Sequence, residues 1–210
     1  MEHLDAATLE EFQAFNKKFY IPNNAVLVVA GDFKKDQAKK WIAQYFGTIP
    51  KGAPIKREQF IEEPITETIK ARFEDNNIQI PAIVAAYRTP SMKTRDARVL
   101  DLISSYLSDG KSSKLYKKIV DDKKIALQVG AFSNSQEDYG MYILYGLPMG
   151  QNSPTDILKE IDEEITKLQT ELISEKDYQK LQNKFDNNFV SSNASIEGIA
   201  ENLASYYLLY

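Results

Sequence analysis

Imidazole and thiol groups, which often serve as catalytic bases, nucleophiles and metal ligands, are nearly absent from this sequence. His3 is the only histidine among 210 residues, and there is no cysteine. Disulfides, thiolate chemistry and all-cysteine zinc sites are therefore excluded. A serine nucleophile such as Ser112 has no histidine near it in the sequence. His3 lies just before a predicted helix cap, and we interpret it as a surface or loop residue.

Carboxylates are plentiful, but no pair stands out as catalytic. General acid–base chemistry needs a carboxyl group whose pKa is shifted by burial or by a neighbouring charge. The adjacent acidic pairs fall instead on predicted helix surfaces or loops, so we interpret them as solvated. They are Glu10-Glu11, Glu62-Glu63, Asp121-Asp122 and Glu163-Glu164.

Residues 110–113 (GKSS) invite comparison with a phosphate-binding loop. The segment lacks the G-x-x-x-x-G-K-[ST] spacing, and no parallel α/β pattern precedes it. We therefore predict a turn that connects two helices.

Composition narrows the class of protein. The chain is 43% hydrophobic and 27% charged, which is typical of a globular protein, and its net charge is -4. A net negative charge argues against a nucleic-acid partner, which requires a basic face. No apolar run approaches the length of a membrane span, and the first residues do not resemble a signal peptide. The compartment stays open.

The first fifty residues predict two helices around one strand. Thr8 and Glu11 form a capping box for a helix over residues 8–20, and a second helix covers residues 38–46. The apolar run 25–30 (AVLVVA) predicts a strand that is covered on both faces. One strand lacks partners, and fifty residues bury little surface, so we expect this segment to be an incomplete domain. The proline-containing stretch 51–64 predicts a linker.

The remainder predicts the order β-β-α-α-β-β-α-α. Strands are expected at residues 65–73, 78–87, 125–132 and 139–147, with helices at 96–107, after Ser113, after Ser153 and after Ser174. Paired strands with segregated helices indicate an α+β fold, a mostly antiparallel sheet with helices packed on one face.

Two segments resemble zinc peptidases of the insulinase and pitrilysin type. Residues 19–33 (FYIPNNAVLVVAGDF) are similar to the family signature Y-x-P-N-N-A-x-L-V-V-x-G-D, and residues 110–116 (GKSSKLY) resemble G-x-S-S-R-L-Y. The resemblance implies a LuxS/insulinase-like fold of repeated α+β domains that form a chamber. It also implies that residues 1–52 are the C-terminal part of a zinc-peptidase domain and residues 53–210 a second domain in the chamber wall.

In active members of that family, two histidines of an H-x-x-E-H motif and a further glutamate bind zinc, and the motif glutamate is the general base. The resemblance places that motif well before residues 19–33. We therefore expect no metal site or catalytic residue in this chain. Zinc is expected in an N-terminal region of the full-length protein.

The resemblance also locates two positions where active relatives carry an arginine and a tyrosine that contact substrate. Val120 and Leu127 occupy those positions here, and neither side chain donates a hydrogen bond. This leaves two hypotheses: a wall domain of a zinc metalloendopeptidase, or a scaffold or partner subunit from a catalytically inactive member. The partners implied are peptide or unfolded polypeptide substrate and the remaining domains or a paired subunit.

Tyrosine is abundant, with 12 residues. Tyr142 lies on a predicted strand, and alternate residues of such a strand can line a peptide groove or offer an edge for an added strand. Core packing is the simpler interpretation of these tyrosines. The sequence does not identify the substrate-binding residues.

Overall fold

The structure, a computed structural model, describes residues 2–58 and 60–210, with backbone alone for Glu2 and His3. The chain forms two compact units. One comprises the described residues before position 59 together with Asn188–Tyr210, and the other is Phe60–Asn187.

The first unit is helical. Its N-terminal part contains α1 (Glu2–Asp5), α2 (Leu9–Phe19) and α3 (Lys35–Phe46). The predicted capping box is confirmed: the Thr8 hydroxyl accepts a hydrogen bond from the Glu11 amide, and the Glu11 carboxylate accepts one from the Thr8 amide. The predicted second helix is confirmed with an earlier start, at Lys35.

Two asparagines explain why the turn after α2 has its sequence. The Asn24 side chain donates to the Phe19 carbonyl at 2.9 Å, which satisfies an acceptor left free at the helix end. The Asn23 carboxamide exchanges two hydrogen bonds with Gly52, at 2.9 and 3.3 Å. Both side chains of the PNN sequence therefore act as structural ties.

The predicted strand at residues 25–30 is wrong. These residues form no ladder, and only alternate side chains are half-buried, whereas Leu27 and Val29 remain 56% and 47% exposed. An extended apolar segment becomes a covered strand only beside another strand. In the described part of the chain, no strand lies next to it.

The second unit is built on a three-stranded antiparallel sheet. The strands are β1 (Ile83–Pro90), β2 (Ala126–Asn134) and β3 (Tyr139–Pro148), in the order β1-β3-β2. Helix α4 (Arg95–Ser108) and a π-helix (Tyr116–Asp122) connect β1 to β2, and α5 (Pro154–Thr170) follows β3. Helix α6 (Glu175–Ser192) runs into the first unit, where α7 (Ile196–Leu209) ends the chain.

The hairpin of β2 and β3 and the helices of this unit confirm the sequence pattern, but two strand predictions need correction. The strand predicted at 65–73 does not form, because no described strand pairs with it, and Ile69 and Phe73 are 79% and 88% exposed. The strand predicted at 78–87 begins only at Ile83. Pro81, which has no amide hydrogen, falls in the part that stays irregular.

Helices cover one face of the sheet, and the core lies there. The residues that meet are Leu107 from α4, Leu115 and Ile119 around the π-helix, Val129, Ala131 and Leu144 from the strands, and Ile157 and Ile161 from α5. All are at most 6% exposed. The predicted fold class, α+β with an antiparallel sheet and helices on one face, is confirmed.

A cluster of charges joins the π-helix to α5. The Lys118 ammonium lies 3.1, 2.9 and 3.1 Å from carboxylate oxygens of Glu160, Glu163 and Glu164. Lys123 bonds Glu160 at 2.5 Å, and Lys167 bonds Glu164 at 2.7 Å. The acidic pair Glu163-Glu164, predicted to be solvated, thus takes part in ion pairs, and Glu164 is buried.

Candidate functional site

The side chains in this chain do not fit a zinc site. The chain has one histidine and no cysteine, and the side chain of His3 lies outside the described residues. Among the described side chains, no three histidine, aspartate or glutamate residues come together as metal ligands.

Residues 110–113 form a turn that connects two helices, as predicted. Gly110 has φ of 77°, which a side chain would make unfavourable, and it reverses the chain directly after α4. Ser113 and Leu115 are 2% and 0% exposed, so they anchor the segment in the core. The segment therefore has a structural role.

Lysines around this turn attach it to α6. The Lys114 ammonium lies 3.0 Å from Asp177, the Lys180 ammonium donates to the Ser112 hydroxyl at 2.6 Å, and Lys184 pairs with Asp109. Hydrogen bonds from Lys114 and Ser174 lower the pKa of Asp177. The same hydrogen bond to Asp177 raises the pKa of Lys114. We call Lys111, Lys114, Lys180 and Lys184 the basic corner.

Val120 and Leu127 lie in different surroundings. Val120 is on the π-helix and packs against the core. Leu127 is the extra residue of a β-bulge between Ala126 and Gln128, and it is 51% exposed. The structure therefore directs Leu127 outward and Val120 inward.

No helix of the described part of the second unit covers the face of the sheet opposite the core. Strand register puts Val84, Ala86 and Arg88 of β1, Met141, Ile143 and Tyr145 of β3, and Gln128, Gly130 and Phe132 of β2 on this face. Val84, Phe132 and Met141 are 62%, 45% and 46% exposed. Three apolar side chains on one sheet face, together with the edge position of β2, are features of a surface that receives another chain.

A groove of about 380 Å³ lies along β2, the strand at the edge of the sheet. Its lining consists of Ser108, Gly110, Lys111, Tyr116, residues 128–132 and Tyr145. We call it the β2 groove. The Ser108 hydroxyl donates to the Ala131 carbonyl at 2.7 Å, so α4 already satisfies one outward-pointing carbonyl of this edge.

Aromatic rings form one wall of the β2 groove. A Cβ atom on Gly130 would lie 2.4 Å from the Tyr145 ring, so the ring rests on the bare backbone of the neighbouring strand. Phe132 meets the same ring edge-on, with centroids 6.3 Å apart, and Gln128 donates to the Tyr145 hydroxyl at 2.9 Å. These three contacts fix the position of Tyr145.

Core packing, the simpler interpretation of Tyr142, is confirmed, and the tyrosine of β3 that lines the groove is Tyr145. Tyr142 is only 6% exposed and packs in the core, where burial raises the pKa of its hydroxyl. Tyr145, three residues later, is on the opposite face. The sequence signal that could have identified Tyr145 is the alternation of side chains between the two faces of a strand. Leu144 and Gly146 point to the face opposite that of Tyr145, and Gly130 pairs with Tyr145 across the hairpin.

A second cavity of about 310 Å³ lies on the same face of the sheet, around Arg88. The Arg88 guanidinium pairs with Glu62, donates to the Glu63 carbonyl, and lies 5.9 Å from the centre of the Tyr139 ring. Arg88 thus holds the segment before β1 against the sheet. The acidic pair Glu62-Glu63 was predicted to be solvated, and one of its carboxylates is committed to this ion pair.

Comparison with known proteins identifies the family. A sequence profile described as the peptidase M16 inactive domain matches residues 6–185. The chain belongs to this family.

Curated relatives carry zinc-protease names. The zinc protease PqqE of Helicobacter pylori is 24% identical over 211 residues, covering 98% of this chain and 47% of the relative. The uncharacterized zinc protease YmxG of Bacillus subtilis is 25% identical over 176 residues, covering 81% of this chain and 40% of the relative. This inactive M16 domain thus spans about half the length of its curated relatives.

Solved structures share the fold. A protease from Helicobacter pylori superposes with a TM-score of 0.84 at 23% identity, covering all of this chain (100%) and 51% of that chain. A peptidase M16 inactive domain from Pseudomonas fluorescens gives 0.75 at 17% identity, with coverages of 97% and 48%. A chain of complex III2 from Candida albicans gives 0.76 at 19% identity, with coverages of 99% and 50%.

No helix among the described residues is both long and apolar enough to cross a membrane.

Proposed function

We propose that this chain is the non-zinc portion of a zinc metalloendopeptidase, where it encloses peptide substrate and packs against the catalytic domain. Residues 1–52 are then the end of the zinc-peptidase domain, and residues 53–210 are the chamber-wall domain. Zinc is held by another part of the full-length protein. This chain supplies binding surface and no catalytic group.

The β2 groove carries the proposal. It combines an edge strand with the Tyr145 and Phe132 rings, which lie on the sheet face opposite the core. An extended peptide can align with such an edge through its backbone and place an apolar side chain against the rings. Binding there needs neither a general base nor a metal.

Peptide binding to the isolated chain tests the proposal. Fluorescein-labelled nine-residue peptides with a central Phe in a Gly/Ser background should bind weakly, with a Kd on the order of 0.1 mM, and should remain uncleaved. Fluorescence anisotropy gives the affinity, and mass spectrometry of the same samples detects any cleavage.

Variants localise the binding. Tyr145→Ala and Phe132→Ala should each weaken it about threefold to tenfold, because each removes a wall of the β2 groove. Phe73→Ala is the matched control, since Phe73 is 88% exposed and does not line the groove. Equal binding by all three variants, each with wild-type circular dichroism, would contradict the proposal.

A second candidate is a scaffold or partner subunit in a catalytically inactive assembly. Two observations favour it: the shared fold with a chain of complex III2, and the absence of hydrogen-bond donors at Val120 and Leu127. An H-x-x-E-H motif upstream of these residues in the full-length protein supports the peptidase, and its absence supports the scaffold unless a paired subunit carries the motif. Failure of the chain to bind any of the peptides favours the scaffold.

A further inference from the structure

The basic corner has more positive than negative charge. Two of its lysines form ion pairs: Lys184 pairs with Asp109, and Lys114 pairs with Asp177. Lys180 bonds a neutral hydroxyl, that of Ser112. Lys111 makes no ion pair in the described part of the chain. Asp177 also interacts with the charge of Lys180, so Lys111 is the lysine of the basic corner that has no carboxylate partner among the described residues.

Lys111 also lines the β2 groove, directly beside Gly110. None of the described residues that line this groove is acidic. An unpaired ammonium at the end of an otherwise uncharged groove creates a local positive potential, and that potential favours an anionic group on an incoming ligand.

We propose that Lys111 determines specificity in the β2 groove, by selecting peptides that carry an aspartate or glutamate next to an apolar side chain. The apolar side chain packs on Tyr145 and Phe132, and the carboxylate lies against the Lys111 ammonium. This inference rests on the proposed function, because it names the peptide class that the groove accepts.

The shape of the groove selects an acidic peptide over a nucleic acid. Among the described residues that line the groove, Lys111 is the only positive one, whereas a nucleic-acid surface places positive charge along several phosphates. The neighbouring wall is an aromatic pair beside a strand edge, which matches a side chain and an extended backbone. A peptide that carries a carboxylate next to an apolar side chain can contact both the Lys111 ammonium and the aromatic pair.

The test compares two labelled nine-residue peptides with a central Phe. The acidic peptide has Asp and Glu next to the Phe, and the neutral peptide has Asn and Gln at the same positions. Wild-type chain should bind the acidic peptide about threefold to tenfold more tightly in anisotropy titrations. The preference should shrink when NaCl is raised from about 0.05 M to about 0.5 M, because salt screens exposed charges.

Two variants assign the preference to one residue. Lys111→Gln should equalise the two affinities, and Lys111→Glu should reverse their order. Lys159→Gln is the control, because it removes the same charge from the surface of α5, outside the groove. It should keep the wild-type preference.

These outcomes distinguish failure of the Lys111 specificity from failure of the proposed function. Equal binding of both peptides by wild type, with sensitivity to Tyr145→Ala, overturns the specificity of Lys111 and leaves the groove intact. Tighter binding of a nine-nucleotide single-stranded DNA than of the acidic peptide also overturns it. Binding of neither peptide overturns the proposed function and this inference together.

Discussion

Lys118 is the most heavily engaged side chain of the second unit. Burial acts to lower its pKa, but hydrogen bonds to Glu163, Glu164 and Glu160 outweigh burial and raise the pKa. Burial likewise opposes ionisation of Glu160 and Glu164, yet lysine hydrogen bonds lower the pKa of each. The Lys118 side chain is 19% exposed, and those of Glu160 and Glu164 are 11% and 10% exposed, so little water shields these charges.

Replacement of Lys118 tests the value of this cluster. Lys118→Met should lower the free energy of unfolding by about 2–4 kcal/mol, because three neighbouring carboxylates lose the cation that they share. Urea denaturation measures the change. Lys159→Met should change it by less than about 0.5 kcal/mol, since Lys159 is on the surface of α5. A loss from Lys118→Met as small as that of the control would contradict the role assigned to the cluster.

At this scale, the sequence predicted some roles and missed others. The Thr8–Glu11 capping box follows from local spacing, because both partners belong to one helical turn. The Lys118 cluster joins residues more than forty positions apart, at Glu160 and beyond, and no spacing rule predicts such a contact. The β2 groove was missed for the same reason, since Lys111, Gly130 and Tyr145 meet only after the hairpin forms.

Helix α6 shows how an element is held by ion pairs and little apolar surface. Only Leu181 is buried along its 18 residues. Residues 177–184 of this helix are attached through three contacts: Asp177 to Lys114, Lys180 to Ser112 and Lys184 to Asp109. The G-x-S-S-K-L-Y segment thus serves as the attachment point for α6.

Loss of two of these contacts should loosen α6. The double variant Lys114→Met/Lys184→Met should reduce amide-exchange protection in residues 175–187 about tenfold, while α5 keeps its protection. Hydrogen exchange read by mass spectrometry measures both helices in one experiment. Lys176→Met is the control on the same helix. Equal protection of α6 in all three proteins would show that the ion pairs do not hold it.

Helices were easier to predict than strands. A helix satisfies its own backbone, so caps and apolar spacing largely determine it, as α2, α4 and α5 show. A strand needs a neighbour that the local pattern does not name. Residues 25–30 and 65–73 have strand-like sequences and no partner among the described residues, whereas β2 and β3 pair through a short turn.

For the whole molecule, the lowered carboxylate pKa values predict acid sensitivity. A group whose pKa is lower in the folded state contributes stability above its unfolded value and loses it as the pH falls through its folded value. The pKa values of Glu160, Glu164 and Asp177 are all lowered. The free energy of unfolding should therefore fall as the pH drops below about 4.5, the ordinary value for glutamate.

Urea denaturation between about pH 6 and about pH 3 measures this dependence. The variant Lys118→Met should show a shallower decline than the wild type, because its carboxylates lose the cation that lowers their pKa. A parallel decline in both proteins would place the acid sensitivity elsewhere in the chain.

We propose that this M16 domain binds no zinc of its own. Titration of the purified chain with ZnCl₂ by calorimetry tests that claim most directly. A chain with one histidine and no cysteine should show no stoichiometric site tighter than about 10 µM. A one-to-one zinc site with a nanomolar Kd would contradict the account.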